Sequence, residues 1–314
     1  MEYNFQEQQS YHQFPYTPHK SEIEYFSIIP SSRRRRKMVL IREFRIVMPM
    51  TLEEYEMAIM YTIVKMEQED AASREAVEVL QNIPYEDEVL GKGQYTSKVY
   101  HLQSKIPAWM KTFAPANAFT LQEESWSAFP KSKTEIKCPH FDQRILSIET
   151  VNKADNGCSE NVHGLSDKQL ALRKVEVIDI ASASKDYWSK MVGASKVDFS
   201  TFKSNRTGRG PLFKGWKDTC HPVMTSYKLL ITDAPFWAFG NRLEEAILAG
   251  QRALFLECHR RCFAWIDEWF GMTLEQVCEL ERLKFEKTVQ KSPLVTNHGA
   301  CKKEARRETR SLTM

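Results

Sequence analysis

Residues 93–100 read Gly93-Gln94-Tyr95-Thr96-Ser97-Lys98-Val99-Tyr100, and this run constrains the fold more than any other stretch of the chain. It reads as a strand, whose successive side chains point to opposite faces, so Gln94, Thr96, Lys98 and Tyr100 share one face. A hydroxyl and an ammonium then stand side by side at i and i+2. Such a pair suits a phosphate or a polyhydroxylated ligand, because lysine supplies a mobile point charge and threonine a short donor and acceptor. Most Thr-x-Lys pairs on strands simply face water, and the pattern alone does not separate the two readings.

Further strands are expected at Leu40–Val47, Ala76–Gln81, Lys133–Cys138, Ile145–Val151, Lys174–Ile180 and Ser226–Thr232. A helix follows the first of them, with Thr51 as N-cap, Glu54 three residues on, and Met50 with Tyr55 as a staple across the cap. A polar loop spans 195–210. Two helices then complete the fold, over 241–270 and 274–290, the second opened by Thr273 and Gln276. The order predicts an α+β fold, a mostly antiparallel, curved sheet with long helices laid against it. Neither βαβ alternation nor a glycine-rich phosphate loop is present, which argues against a nucleotide-cofactor fold.

The formal charge of +3 hides an asymmetry. Residues 1–37 carry +2, ending in Arg33-Arg34-Arg35-Arg36-Lys37, and residues 291–314 carry +4, so the body between them is left at −3. Basic tails on an acidic body argue against nucleic acid as a partner. Both tails are expected to be disordered, with the folded domain over 38–290. The seven cysteines are scattered behind an N-terminus without an apolar signal segment, and the chain reads as a reduced, cytoplasmic protein. No stretch approaches the ~20 apolar residues of a membrane span. Cys258, His259 and Cys262 fall within about one helical turn, but a structural zinc site needs a second pair that is missing here; no metal is expected.

Two further places stand out. On the last helix Leu274, Val277, Cys278 and Phe285 recur at helical spacing with Glu281 in their midst. A carboxylate there meets a basic group of the sheet, lifts into water, or reaches ligand hydroxyls in an apolar cavity. Before the long helix, Asp233-Ala234-Pro235-Phe236-Trp237-Ala238-Phe239 concentrates three aromatic rings at a corner. That composition suits a membrane interface, as it suits burial under the domain.

Taken together, several blocks resemble the phosphatidylinositol transfer proteins. They are Val77-Glu78-Val79-Leu80-Gln81-Asn82, the run from Lys92 through Tyr100 to Lys105, Phe202-Lys203-Ser204-Asn205-Arg206-Thr207-Gly208-Arg209-Gly210-Pro211-Leu212, Ser226-Tyr227-Lys228-Leu229, and Phe263-Ala264-Trp265-Ile266-Asp267-Glu268-Trp269. The resemblance is colinear from Met38, which matches the usual family start, to about Gln290. Ser159-Glu160-Asn161-Val162-His163 is similar to the single-domain, soluble class.

What the resemblance implies is a START-like, concave sheet closed by long helices around a cavity for one phospholipid. Thr96, Lys98 and Glu281 match the residues that hold the inositol ring, and Glu123 and Ser127 occupy two further headgroup positions. Lys228, Thr134 and Thr150 match the phosphate-binding region, Phe236-Trp237 the membrane-docking aromatic pair, and Ser204 a serine phosphorylated in some members. The chain departs from the family at Ser127, where asparagine is usual, at Ile59, where glutamine is, at Ser132, where a reactive cysteine is, and at Phe236, where a second tryptophan is.

The expected function is therefore a monomeric carrier exchanging phosphatidylinositol or phosphatidylcholine between membranes, with transient contact at their surfaces and no cofactor. The alternatives are a carrier of phosphatidic acid and phosphatidylinositol, or a lipid-sensing scaffold. No catalysis is expected, since the histidines lack a serine or cysteine partner in a Gly-x-Ser-x-Gly elbow.

Overall fold

The computed structural model of the chain describes residues 39–72, 77–102, 119–141, 143–232 and 242–291. Phe236 and Trp237, the basic run at 33–37 and the tail from 292 lie outside the described residues.

Eight strands form one open sheet in the order β2-β3-β4-β5-β6-β8-β1-β7. They are β1 (Leu40–Met48), β2 (Val77–Asp87), β3 (Gly91–His101), β4 (Thr120–Ala128), β5 (Lys131–Cys138), β6 (Gln143–Lys153), β7 (Arg173–Ile178) and β8 (Met224–Thr232). The long helices are α1 (Leu52–Ala72), α5 (Arg242–Ala264) and α7 (Leu274–Lys291). Short helices α2 (Asp167–Leu172), α3 (Tyr187–Val192), α4 (Trp216–Thr219) and α6 (Ile266–Trp269) punctuate the connections.

The α+β reading with a mostly antiparallel sheet holds, and one parallel pairing makes the sheet mixed. Six pairings are antiparallel, but β7 runs parallel to β1. Parallel neighbours require a crossover, supplied by residues 154–172. That segment is fastened to the sheet's outer face by charge. Glu43, fully buried on β1, accepts from Arg45 Nε and from Arg173 Nη1, both at 2.7 Å. Arg45 also donates to Glu160 at 3.2 Å and to the Gly157 carbonyl at 2.9 Å. Tyr227 donates to Asp155 at 2.7 Å from the neighbouring strand.

Both capping boxes form. Thr51 N donates to Glu54 at 2.8 Å and Glu54 N to the Thr51 hydroxyl at 3.1 Å. Thr273 and Gln276 exchange the same pair at 2.9 and 3.3 Å. Met50 and Tyr55 are both buried in the main core. The predicted helix over 241–270 is interrupted at Trp265, where α5 gives way to α6. The predicted apolar stripe of α7 is corrected: Val277 is buried but Leu274 and Cys278 are exposed. The helix packs against α1, and among its described residues Val277 turns inward.

β3 and β4 approach closely at Gly93, where an added Cβ would stand 2.1 Å from the Ser127 carbonyl oxygen. Only glycine fits there. On the sheet's inner face the main core gathers Phe44, Ile46, Ile136, Leu146, Ile148 and Leu230 from the strands, with Tyr55 and Ala58 from α1 and Phe255, Leu256 and Phe263 from α5. Among the described residues no helix is long and apolar enough to cross a membrane.

Removing the Glu43 carboxylate leaves two guanidinium groups without their shared buried partner. Glu43→Ala is expected to cost about 3–5 kcal/mol in urea unfolding. An unchanged midpoint contradicts the crossover-clamp account.

Candidate functional site

Strand register puts the predicted residues on a single face. Across β3 to β5, Thr96 pairs with Ser125, which pairs with Thr134; Lys98 pairs with Glu123; and Gln94 pairs with Ser127, which pairs with Ser132. Ser132 then pairs with Thr150 on β6, and Thr150 with Lys228 on β8. Because directly opposed residues point the same way, Thr96, Lys98, Glu123, Ser127, Thr134, Thr150 and Lys228 all face the helical layer. This is also the face on which Phe44 meets Phe255 of α5, with ring centroids 5.9 Å apart.

The set divides into two groups. Thr96, Lys98, Glu123, Ser127 and Thr134 lie together on β3, β4 and β5; Thr150 and Lys228 lie together on β6 and β8. Four strand spacings separate β3 from β8, roughly 19 Å along a flat sheet at ~4.8 Å per strand and less where the sheet curves. The hydroxyls of Ser125, Ser127, Ser132, Thr134 and Thr150 fill the interval, and Ser125 and Thr134 bond each other at 2.9 Å.

Lys228 is the electrostatic anomaly. Protein encloses it, yet it is half-buried rather than buried, so open space adjoins it. Its Nζ has a long 3.4 Å contact to the Thr150 hydroxyl and lies 5.0 Å from the centre of the Phe255 ring. Among the described residues no carboxylate pairs with it. Burial brings its pKa down to about 8, and the same burial drives the neighbouring Cys258 thiol up to about 11. His259, one residue on, bonds Tyr55 Oη at 2.8 Å and the Phe255 carbonyl at 2.7 Å, and burial takes it down to about 3. His259 is thus turned to Tyr55 while Cys258 lies against Lys228.

At the other end, Lys98 Nζ donates to Glu67 of α1 at 2.6 Å. Burial raises the Glu123 carboxyl above its ordinary range, an effect that Lys98 and a bond from Tyr100 only partly offset. Ile59 packs against the main core. Glu281 belongs to α7, but its side chain lies outside what the structure describes. Ser204 is buried and set apart from this face: it donates to Asp267, whose carboxylate also accepts from the Asn205 and Arg206 amides at 2.9 and 3.1 Å.

The family profile described as phosphatidylinositol transfer protein matches residues 39–286. This chain belongs to that family. Its relatives include Cytoplasmic phosphatidylinositol transfer protein 1 of Drosophila melanogaster, 40% identical over 81% of this chain and 92% of the relative. Phosphatidylinositol transfer protein 1 of Dictyostelium discoideum is 38% identical over 81% of this chain and 95% of the relative. Cytoplasmic phosphatidylinositol transfer protein 1 of Mus musculus is 37% identical over 81% and 75%.

Within this phosphatidylinositol transfer family member, sequence reasoning missed Glu67, Ser125 and all of β4 as a strand. Glu67 meets Lys98 across 31 residues of chain, a contact that no local periodicity announces. Serine at 125 faces inward only because β4 exists.

Lys228 gives the ligand-free protein a definite pH signature. Its proton is lost near 10.5 when unfolded but near 8 in the fold. Between those values the unfolded chain holds the extra proton, so the Lys228 contribution makes stability rise with pH, and its penalty is complete below about 8. Lys228→Met is expected to be more stable than the parent at pH 7, with the gap narrowing by pH 9. A variant less stable than the parent at both, by urea titration, contradicts this.

Proposed function

We propose that the protein carries one phospholipid, phosphatidylinositol or phosphatidylcholine, between membranes of the cytoplasm. The observation that supports this most is Lys228, an ammonium enclosed beside open space with no carboxylate partner among the described residues. A buried charge of that kind is costly alone and favourable beside an anion, and a phosphodiester supplies one. The relatives' names, which speak of phosphatidylinositol transfer, agree in ligand class.

In this reading the inner face is the concave wall of a START-like cavity, closed by α1, α5 and α7. Lys228, Thr150 and Thr134 hold the phosphate. Thr96, Lys98, Glu281, Glu123 and Ser127 receive the inositol ring. Two acyl chains with on the order of 30 methylenes would cost about 25 kcal/mol in water at ~0.8 per methylene, so they lie between the sheet and the helices. A closed cavity must open to exchange cargo; Phe236 and Trp237 would seat the opened protein at the membrane, with the carrier acting as a monomer. Phosphorylation of Ser204 would set a phosphate against the Asp267 carboxylate and loosen the 203–210 loop. The protein acts without catalysis, the lipid leaving as it entered.

Phosphatidylcholine shares the phosphate but offers no ring hydroxyls, and polar groups left unpaired cost ~1–3 kcal/mol each. Lys98→Ala is therefore expected to lower phosphatidylinositol transfer between vesicles about tenfold or more, at ~1.4 kcal/mol per factor of ten, while phosphatidylcholine transfer stays within about twofold. Full retention of phosphatidylinositol transfer overturns the assignment of Lys98.

A further inference from the structure

Helix α1 lowers a carboxylate onto the ring end of the site. Glu67 Oε1 stands 2.6 Å from Lys98 Nζ, with the two side chains 22% and 15% exposed. Directly opposite Lys98 on β4 is Glu123, also half-buried. The Lys98 ammonium is thus bracketed by two carboxyl groups, one from the helix and one from the sheet. Glu67 supplies a counter-charge to Lys98, so among the described residues this ammonium already has an anionic partner. Lys228 differs in this respect, since no described carboxylate pairs with it.

The two kinds of lysine select for different chemistry. An ammonium–carboxylate pair offers donors on one side and acceptors on the other. A hydroxyl inserted between them accepts from Lys98 and donates to Glu67, so an uncharged polyhydroxyl ring is well matched. A phosphate monoester carries up to two negative charges and essentially only acceptors. Brought to the same place, it meets the Glu67 carboxylate as a like charge in a partly desolvated setting, where such juxtapositions cost several kcal/mol.

We propose that Glu67 is a specificity-determining residue of the lipid site, admitting an uncharged polyhydroxyl ring and excluding a ring that carries a phosphate monoester. The inference rests on the lipid-carrier reading above and adds a residue and a direction of selection to it. Three observations carry it: the α1–β3 ion pair, the opposed Glu123, and the contrast with Lys228. Discrimination by repulsion is a recognised route to specificity, since it acts on the wrong ligand without needing a new contact to the right one.

The test is a vesicle-to-vesicle transfer assay with phosphatidylinositol and phosphatidylinositol 4-phosphate measured side by side, on the parent, Glu67→Gln and Glu67→Asp. The parent is expected to favour phosphatidylinositol. Glu67→Gln should shift the phosphatidylinositol 4-phosphate to phosphatidylinositol ratio upward about tenfold or more, equivalent to ~1.4 kcal/mol per factor of ten. Glu67→Asp keeps the charge and should keep the parent ratio. An unchanged ratio in Glu67→Gln, or an equal fall of both lipids in both variants, overturns the role of Glu67 and marks the ion pair as a strap between α1 and β3. A parent that transfers neither lipid overturns the carrier reading itself, a result distinct from either of those.

Discussion

A partly enclosed ammonium with no carboxylate partner among the described residues sets the terms for the rest of this structure. Lys228 projects from β8 toward α5, between Thr150 and the Phe255 ring. Its neighbours Cys258 and His259 are held neutral by the same burial that lowers its own pKa, so neither can serve as counter-ion. A fold tolerates such a group when a ligand regularly completes it. The strands between β3 and β8 extend that demand into a surface, with hydroxyls on successive strands joining Lys228 to Lys98.

In the carrier reading, the contrast between the sheet's faces lets one face receive a ligand while the other holds the sheet rigid. The outer face is fastened by Glu43 with Arg45 and Arg173, a network whose partners satisfy one another. The inner face keeps Lys228 unpaired by any described carboxylate. Around the helical layer, polar clasps add to the apolar packing of α1, α5 and α6. Arg209 forks onto Glu54 at 2.8 and 2.9 Å, tying the loop after Ser204 to the capped start of α1. Asp267 of α6 gathers the turn at 204–206. In the carrier reading, charge-assisted bonds of this kind close a cavity and can be exchanged for water when it opens.

What the sequence made legible was local. The alternation at 93–100 and both capping boxes depend on residues two or three apart, and each formed as read. The polar inner face of β3 was visible for the same reason. β4 was not, because Gln122, Glu123, Glu124 and Ser125 place four polar residues in a row and erase the alternation, half of them facing the site. The α7 stripe failed because which edge of a helix is buried depends on its neighbour, here α1. The parallel pairing of β7 required knowing that residues 154–172 cross the outer face. Lys228 itself carried no local signal in the alternating run Ser226-Tyr227-Lys228-Leu229 and was marked by family resemblance alone. Glu67 had neither, since its meaning comes from a contact between α1 and β3.

The measurement that bears most directly on the central claim is mass spectrometry of an organic extract of the purified, folded protein. The account predicts about one diacyl phospholipid per chain, drawn from phosphatidylinositol and phosphatidylcholine. An extract free of phospholipid, from protein whose circular dichroism matches the α+β fold, would contradict it.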